Sequence, residues 1–170
     1  MPETGTSHNK PGDKALYTPQ QRARRDATVW TSVQAILAPL QFFVFAISLV
    51  LVLRYLSTGE GYGLATASIL AKTGLLYAIM VTGAIWEKAV FGQYLFARAF
   101  FWEDVVSMLV MALHTAYIAM LVFAWGSPEQ QMIVALAAYA SYVINAVQFV
   151  WKLRQARLSA PSPAPSGVPA

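Results

Sequence analysis

Four apolar stretches, over residues 29–53, 63–86, 104–125 and 131–151, constrain this chain more than any other feature. A helix that crosses the hydrocarbon core of a bilayer needs about 20 predominantly apolar residues. All four stretches meet that length. Few charges interrupt them, which argues against buried helices of a soluble protein. The expected fold is all-α: a polytopic membrane protein with four transmembrane helices in a bundle. Composition agrees, since 57% of the 170 residues are hydrophobic and only 12% are charged, with a mean hydropathy of +0.49, outside the usual soluble range.

The chain then divides into three parts. Residues 1–28 form a polar, largely disordered head, in which Pro2, Gly5, Pro11, Gly12 and Pro19 discourage regular structure. Thr18 followed by Pro19 can still start a short helix through Arg22, Arg24 and Arg25. Residues 29–157 form the membrane domain, and residues 158–170 a disordered tail rich in proline. No signal peptide is expected, because the first apolar run starts late and is too long for a signal core.

Basic residues set the orientation. The head carries Lys10, Lys14, Arg22, Arg24 and Arg25, the middle loop Lys88 and Arg98, and the tail Lys152, Arg154 and Arg157. The opposite side has Arg54 alone. Positive flanks stay cytoplasmic, so both termini are expected there, N-in and C-in. The net charge of +4 sits mainly at the two ends, without the basic stripe on a folded domain that nucleic-acid binding requires. With no cysteine, disulfides, thiolate metal sites and cysteine nucleophiles are excluded. A single intramembrane histidine builds no transition-metal site, so no metal centre is expected.

Polar side chains inside a bilayer are costly and mark the places to look for function. Lys72 lies about two turns inside the second span, where its stem is expected to snorkel outward to water. On the third span Glu103, Ser107, Val110 and His114 fall on one stripe at helical spacing. The rise of 1.5 Å per residue puts His114 about 16 Å deeper than Glu103. His114 reads either as a ligand or proton carrier, or as a histidine bonded to a neighbouring helix. On the fourth span Ser141, Asn145 and Gln148 share a face, and packing through interhelical hydrogen bonds is the expected use.

The loop between spans two and three is the densest region for chemistry. It combines Trp86, Glu87, Lys88, Phe91, Tyr94 and Phe96 with Arg98, Phe100, Phe101, Trp102, Glu103 and Asp104. Aromatics at that depth form an interfacial belt in many membrane proteins. A carboxyl group desolvated by such a run is also held toward its neutral form, the form of a general acid. Both readings stand at this point.

Here the sequence becomes specific. The stretches YTPQQRARRDATVW, LRYLSTGEGYGLATASI, MVTGAIWEKAVFGQYLF, AFFWEDVVSMLVMALHTAY and YVINAVQFVWKLR closely resemble the vinyl-bacteriochlorophyllide hydratase family, across about residues 17–157. The resemblance implies a hydro-lyase that adds water to the 3-vinyl group of chlorophyllide a or a bacteriochlorophyllide, giving the 3-(1-hydroxyethyl) product of bacteriochlorophyll biosynthesis. It implies no cofactor, because the substrate carries its own magnesium. The implied setting is the bacterial inner membrane, cytoplasmic or intracytoplasmic, in contact with the lipid bilayer and with other bacteriochlorophyll-synthesis enzymes as candidate partners. Such chemistry needs an acid, a positioned water and an apolar slot. Glu103 is the first candidate for the acid, with Asp104, Glu87 and His114 as further catalytic candidates. Trp86, Phe100, Phe101 and Trp102 are candidates for stacking on the ring, and Lys88 or Arg98 for pairing with its propionate. A non-enzymatic pigment-binding or assembly protein using His114 as a magnesium ligand is the competing reading. A small transporter is disfavoured, because no Gly or Pro breaks helices in paired positions.

Overall fold

The computed structural model describes residues 16–158, and within them the chain is helical. The expectations for residues 1–15, including Lys10 and Lys14, and for the proline-rich tail over 159–170 lie outside the described residues. The element order is α1 (Pro19–Ala27), α2 (Val29–Thr58), α3 (Tyr62–Phe91), α4 (Phe101–Val122) and α5 (Pro128–Leu158). Helices α2 to α5 are each long and apolar enough to cross a membrane.

α1 starts where its sequence signals place it. The Thr18 hydroxyl accepts from the Gln21 amide while the Gln21 side chain accepts from the Thr18 amide, and Pro19 occupies the first turn. The helix ends at Thr28, whose side chain in turn caps α2.

The long helices overrun the apolar stretches that announce them. α2 and α3 have 30 residues each, which at 1.5 Å per residue is about 45 Å, longer than a hydrocarbon core of about 30 Å. Their polar end turns therefore lie at headgroup depth, outside the hydropathy window. α4, with 22 residues, is about 33 Å long and spans the core alone. It begins earlier than its apolar run and ends at Val122, because Ala124 (φ 52°) and Gly126 (φ 73°) turn the chain. Gly59 and Gly61, both with positive φ, make the tight link from α2 to α3. Reciprocal bonds between Ser127 and Gln130 then open α5.

α2 packs along α3 and α4 along α5, giving two antiparallel hairpins that meet through α2 with α5 and α3 with α4. The interior joins Phe45 and Val52 from α2, Ile69 and Leu76 from α3, Val110 and Tyr117 from α4, and Met132 and Tyr139 from α5. The outer surface is apolar: Val50, Val122, Val147 and Val150 are more than half exposed. In water that surface would be a large penalty, and in lipid it is the matching solvent.

Lys72 overturns the snorkelling expectation. It is fully buried, and its Nζ sits 3.8 Å from the centroid of the Tyr142 ring. The reason is its stripe: Lys72 shares the inward face of α3 with Ala65, Ile69, Thr73 and Leu76, so its stem runs into the bundle.

Candidate active site

The end of the bundle that holds α1 and the C-terminal end of α5 gathers most of the ionisable side chains. α3 ends there with Glu87 and its Gly92 cap, the link over 93–100 crosses the rim, and α4 begins with Glu103 and Asp104 in its first turn. Acidic residues favour that first turn because free backbone N–H groups point out of it. All three carboxyl groups are buried: Glu87 is 5% exposed, Glu103 8% and Asp104 3%.

Two of them meet. The side chains of Glu87 and Asp104 are hydrogen-bonded to each other. Each is also held by the link above it, since Asp104 Oδ2 accepts from the Phe96 amide at 2.8 Å and Glu87 Oε2 from the Ala97 amide at 3.2 Å. Phe96 takes a left-handed conformation, φ 60°, unusual for a bulky residue. That geometry presents consecutive amides to the two carboxyls, and its cost, about 1 to 3 kcal/mol, is offset by those bonds.

Glu103 has a different partner. Its Oε2 lies 2.5 Å from Lys152 Nζ on α5. Around this ion pair Ser107 donates to the Glu103 carbonyl at 2.8 Å, and Asn145 Nδ2 donates to the same oxygen at 2.9 Å. Asn145 thus fulfils its expected interhelical role. Ser141 bonds only its own helix, at the Ala138 carbonyl, and Gln148 Oε1 is buried without a hydrogen-bond partner.

The aromatic residues divide into two groups. Trp86 and Phe100 stand edge to face, 5.7 Å apart, within a cluster that includes Tyr17, Phe91 and Phe149. The Trp86 indole N–H donates to Thr31 at 2.9 Å. These rings tie α1, α2, α3 and α5 together at the rim. Phe101 and Trp102, by contrast, are exposed, and Phe96 joins them 5.8 Å from Phe101. An open aromatic surface therefore includes the side chain of Phe96, the residue whose amide holds Asp104.

Among the basic candidates, Lys88 donates to the Gly92 carbonyl and lies 5.3 Å from the Tyr94 ring, closing the end of α3. Arg98 is exposed on the link. His114 is buried three turns deeper on the stripe of Glu103, Ser107 and Val110, all of them inward-facing. Its Nδ1 bonds the Val110 carbonyl at 2.8 Å. A carbonyl only accepts, so Nδ1 carries the hydrogen and Nε2, which has no partner, holds a lone pair. His114 does not reach the rim carboxyls, being about 16 Å further along the helix.

An open apolar groove of about 290 Å³ is lined by Phe42, Val143, Val147, Val150, Trp151 and Arg154. It lies on the face of α5 opposite Asn145 and Lys152, as 100° per residue requires. It therefore presents no carboxyl group to an occupant.

Lys152 and Tyr17 were missed as site residues in the sequence. The spacing of Asn145 and Lys152, seven residues apart and so on one face, was the available signal for the first.

A helical membrane protein with a rim of buried carboxyl groups beside an exposed aromatic surface is the class that this fold and site define. Residues 17–155 match the family described as 2-vinyl bacteriochlorophyllide hydratase (BCHF). Two curated relatives carry that name: one from Rhodobacter capsulatus, 70% identical over 156 residues, covering 92% of this chain and 91% of the relative, and one from Cereibacter sphaeroides, 73% identical over 146 residues, covering 85% and 90%. No solved structure gives a significant match. The chain belongs to the 2-vinyl bacteriochlorophyllide hydratase family.

Proposed function

We propose that this chain hydrates the vinyl group of chlorophyllide a or a bacteriochlorophyllide to a 1-hydroxyethyl group, as a hydro-lyase of bacteriochlorophyll biosynthesis. Membership of the family over nearly the whole chain carries the reading. The rim supplies what the chemistry asks for. A proton added to the terminal vinyl carbon leaves a cation at the inner carbon, delocalised into the macrocycle. Water attacks that carbon and gives up a proton, so the pigment gains one water in total. The acid comes from the buried carboxyls of the rim, where Glu87 and Asp104 meet and Glu103 is paired with Lys152 beside them. Phe101 and Trp102, with Phe96, offer the exposed aromatic face for the ring, and Arg98 is the basic residue free to meet its propionate. Trp86 and Phe100 support the rim from within, and Lys88 closes α3. The magnesium stays with the substrate.

The setting we propose is the bacterial inner membrane, with both termini and the link over 92–100 on the cytoplasmic side, where pigment can pass to and from other enzymes of the same synthesis. Basic residues at that end of the bundle support this orientation.

Membranes containing the protein, incubated with the vinyl pigment, test the activity. Product heavier by one water is expected. Tight binding of pigment without conversion would replace the hydratase by a carrier.

A further inference from the structure

We infer that Glu87 and Asp104 hold one proton between them and act as a unit, first as the general acid and then as the general base of the hydration. The inference deepens the hydratase reading and rests on it. Its geometric basis is the pairing of the two side chains with each other and with consecutive amides, Phe96 and Ala97. Those amides hold one oxygen of each carboxyl, Asp104 Oδ2 and Glu87 Oε2, and so set the two side chains side by side beneath the link. Two carboxyl groups that hydrogen-bond to each other need a hydrogen between them, and like charges so placed do not both ionise.

The surrounding charges favour the proton over a cation. Lys152, the ammonium near Asp104, is bound to Glu103. Lys88 is turned to the Gly92 carbonyl and the Tyr94 ring, and Arg98 is exposed. Among the described residues no further cation contacts the pair, so the shared proton is what balances it. Glu103 is in the opposite situation: its Oε2 is ion-paired with the Lys152 ammonium 2.5 Å away. Glu103 thus occupies Lys152, as the amide oxygen of a glutamine at that position would still do.

The cycle closes without any other reactant. The pair gives its proton to the terminal vinyl carbon and becomes doubly anionic. That state is strongly basic, and it takes a proton from the water as its oxygen bonds to the inner carbon. The product leaves with one added water, and the pair is again singly protonated. The two groups titrate together, so the loss of either removes the function of both.

Infrared difference spectroscopy of the purified protein in lipid tests this directly. A protonated-carboxyl carbonyl band, shifted in D₂O, is expected in wild type, absent in Glu87→Gln and in Asp104→Asn, and retained in Glu103→Gln. In both amide variants the side-chain NH₂ donates to the remaining carboxylate, so the rim keeps its geometry. Each should lose about 10² to 10⁴ in hydration rate, the usual span for general acid–base catalysis, and the double variant should be no slower. Glu103→Gln should lose less than either. Absence of the band in wild type overturns the shared proton, whatever the variants do. Wild-type rates in both Glu87→Gln and Asp104→Asn overturn the pair's role while leaving the hydratase standing. Failure of wild type to hydrate pigment, with the band present, overturns the hydratase reading instead.

Discussion

Removing the ammonium of Lys152 while keeping its volume, as Lys152→Met does, should destabilise the bundle by about 2 kcal/mol. The figure starts from the cost of stripping one partner from a buried ion pair, about 3 to 5 kcal/mol, most of it the penalty of the charge left behind. Here the Lys152 side chain is still 24% exposed while that of Glu103 is 10% exposed, so water screens the orphaned carboxylate in part and lowers the cost. Glu103→Gln should cost less, about 1 kcal/mol, because the amide oxygen still accepts from Lys152. The double variant leaves no orphan and should be close to Glu103→Gln alone. That implies a coupling energy of about 2 kcal/mol, inside the range of about 0.5 to 3 kcal/mol found for residues in contact. The assay is denaturant titration of the four proteins in mixed micelles, repeated at low and high salt. A partly buried pair should show little salt dependence. Additivity of the two substitutions within about 0.5 kcal/mol would refute the reasoning and return Lys152 to the role of a topology-setting surface charge.

Lys72→Met should be neutral or stabilising, because a buried amine without a hydrogen-bond partner, set over the Tyr142 ring, is replaced by an apolar stem of similar volume; thermal unfolding in detergent checks it, and a loss beyond about 2 kcal/mol would mean that Lys72 has a stronger partner. Thr18→Ala removes the reciprocal cap of α1 and should cost about 1 kcal/mol, read as faster proteolysis at Arg22, Arg24 and Arg25; unchanged cleavage would show that the docking of Tyr17 alone holds α1. A reporter fused after Phe96 should be active only as a cytoplasmic marker, and periplasmic activity would invert the proposed orientation.

What the sequence made legible was whatever repeats along one helix. The stripe of Glu103, Ser107, Val110 and His114 is inward-facing throughout, as its spacing required. The same rule, applied to depth instead of direction, misplaced Lys72. Two turns from a helix end is within snorkelling reach, but the residues three and four positions away, Ile69 and Leu76 among them, are core, and they fix the direction of the stem. Thr18 and Pro19 announced α1 because a cap is a local device whose partners lie three residues apart.

Contacts between helices were illegible for the complementary reason. Glu103 and Lys152 are 49 residues apart, and no periodicity within α4 or α5 says which of the rim acids meets an ammonium. Three neighbouring carboxyls of similar chemistry therefore looked interchangeable, and Glu103 stood first because it follows Phe100, Phe101 and Trp102 in the chain. In the fold those aromatics do not surround it: Phe101 and Trp102 are exposed, and Phe100 packs among the rings of the rim. What distinguishes the three acids in the fold is which of them meets a cation. Lys152 satisfies Glu103, and the backward turn at Phe96 brings two amides over the remaining two acids. Substitutions at position 96, whose amide holds Asp104, should therefore disturb the contact between Glu87 and Asp104 before they disturb the helices.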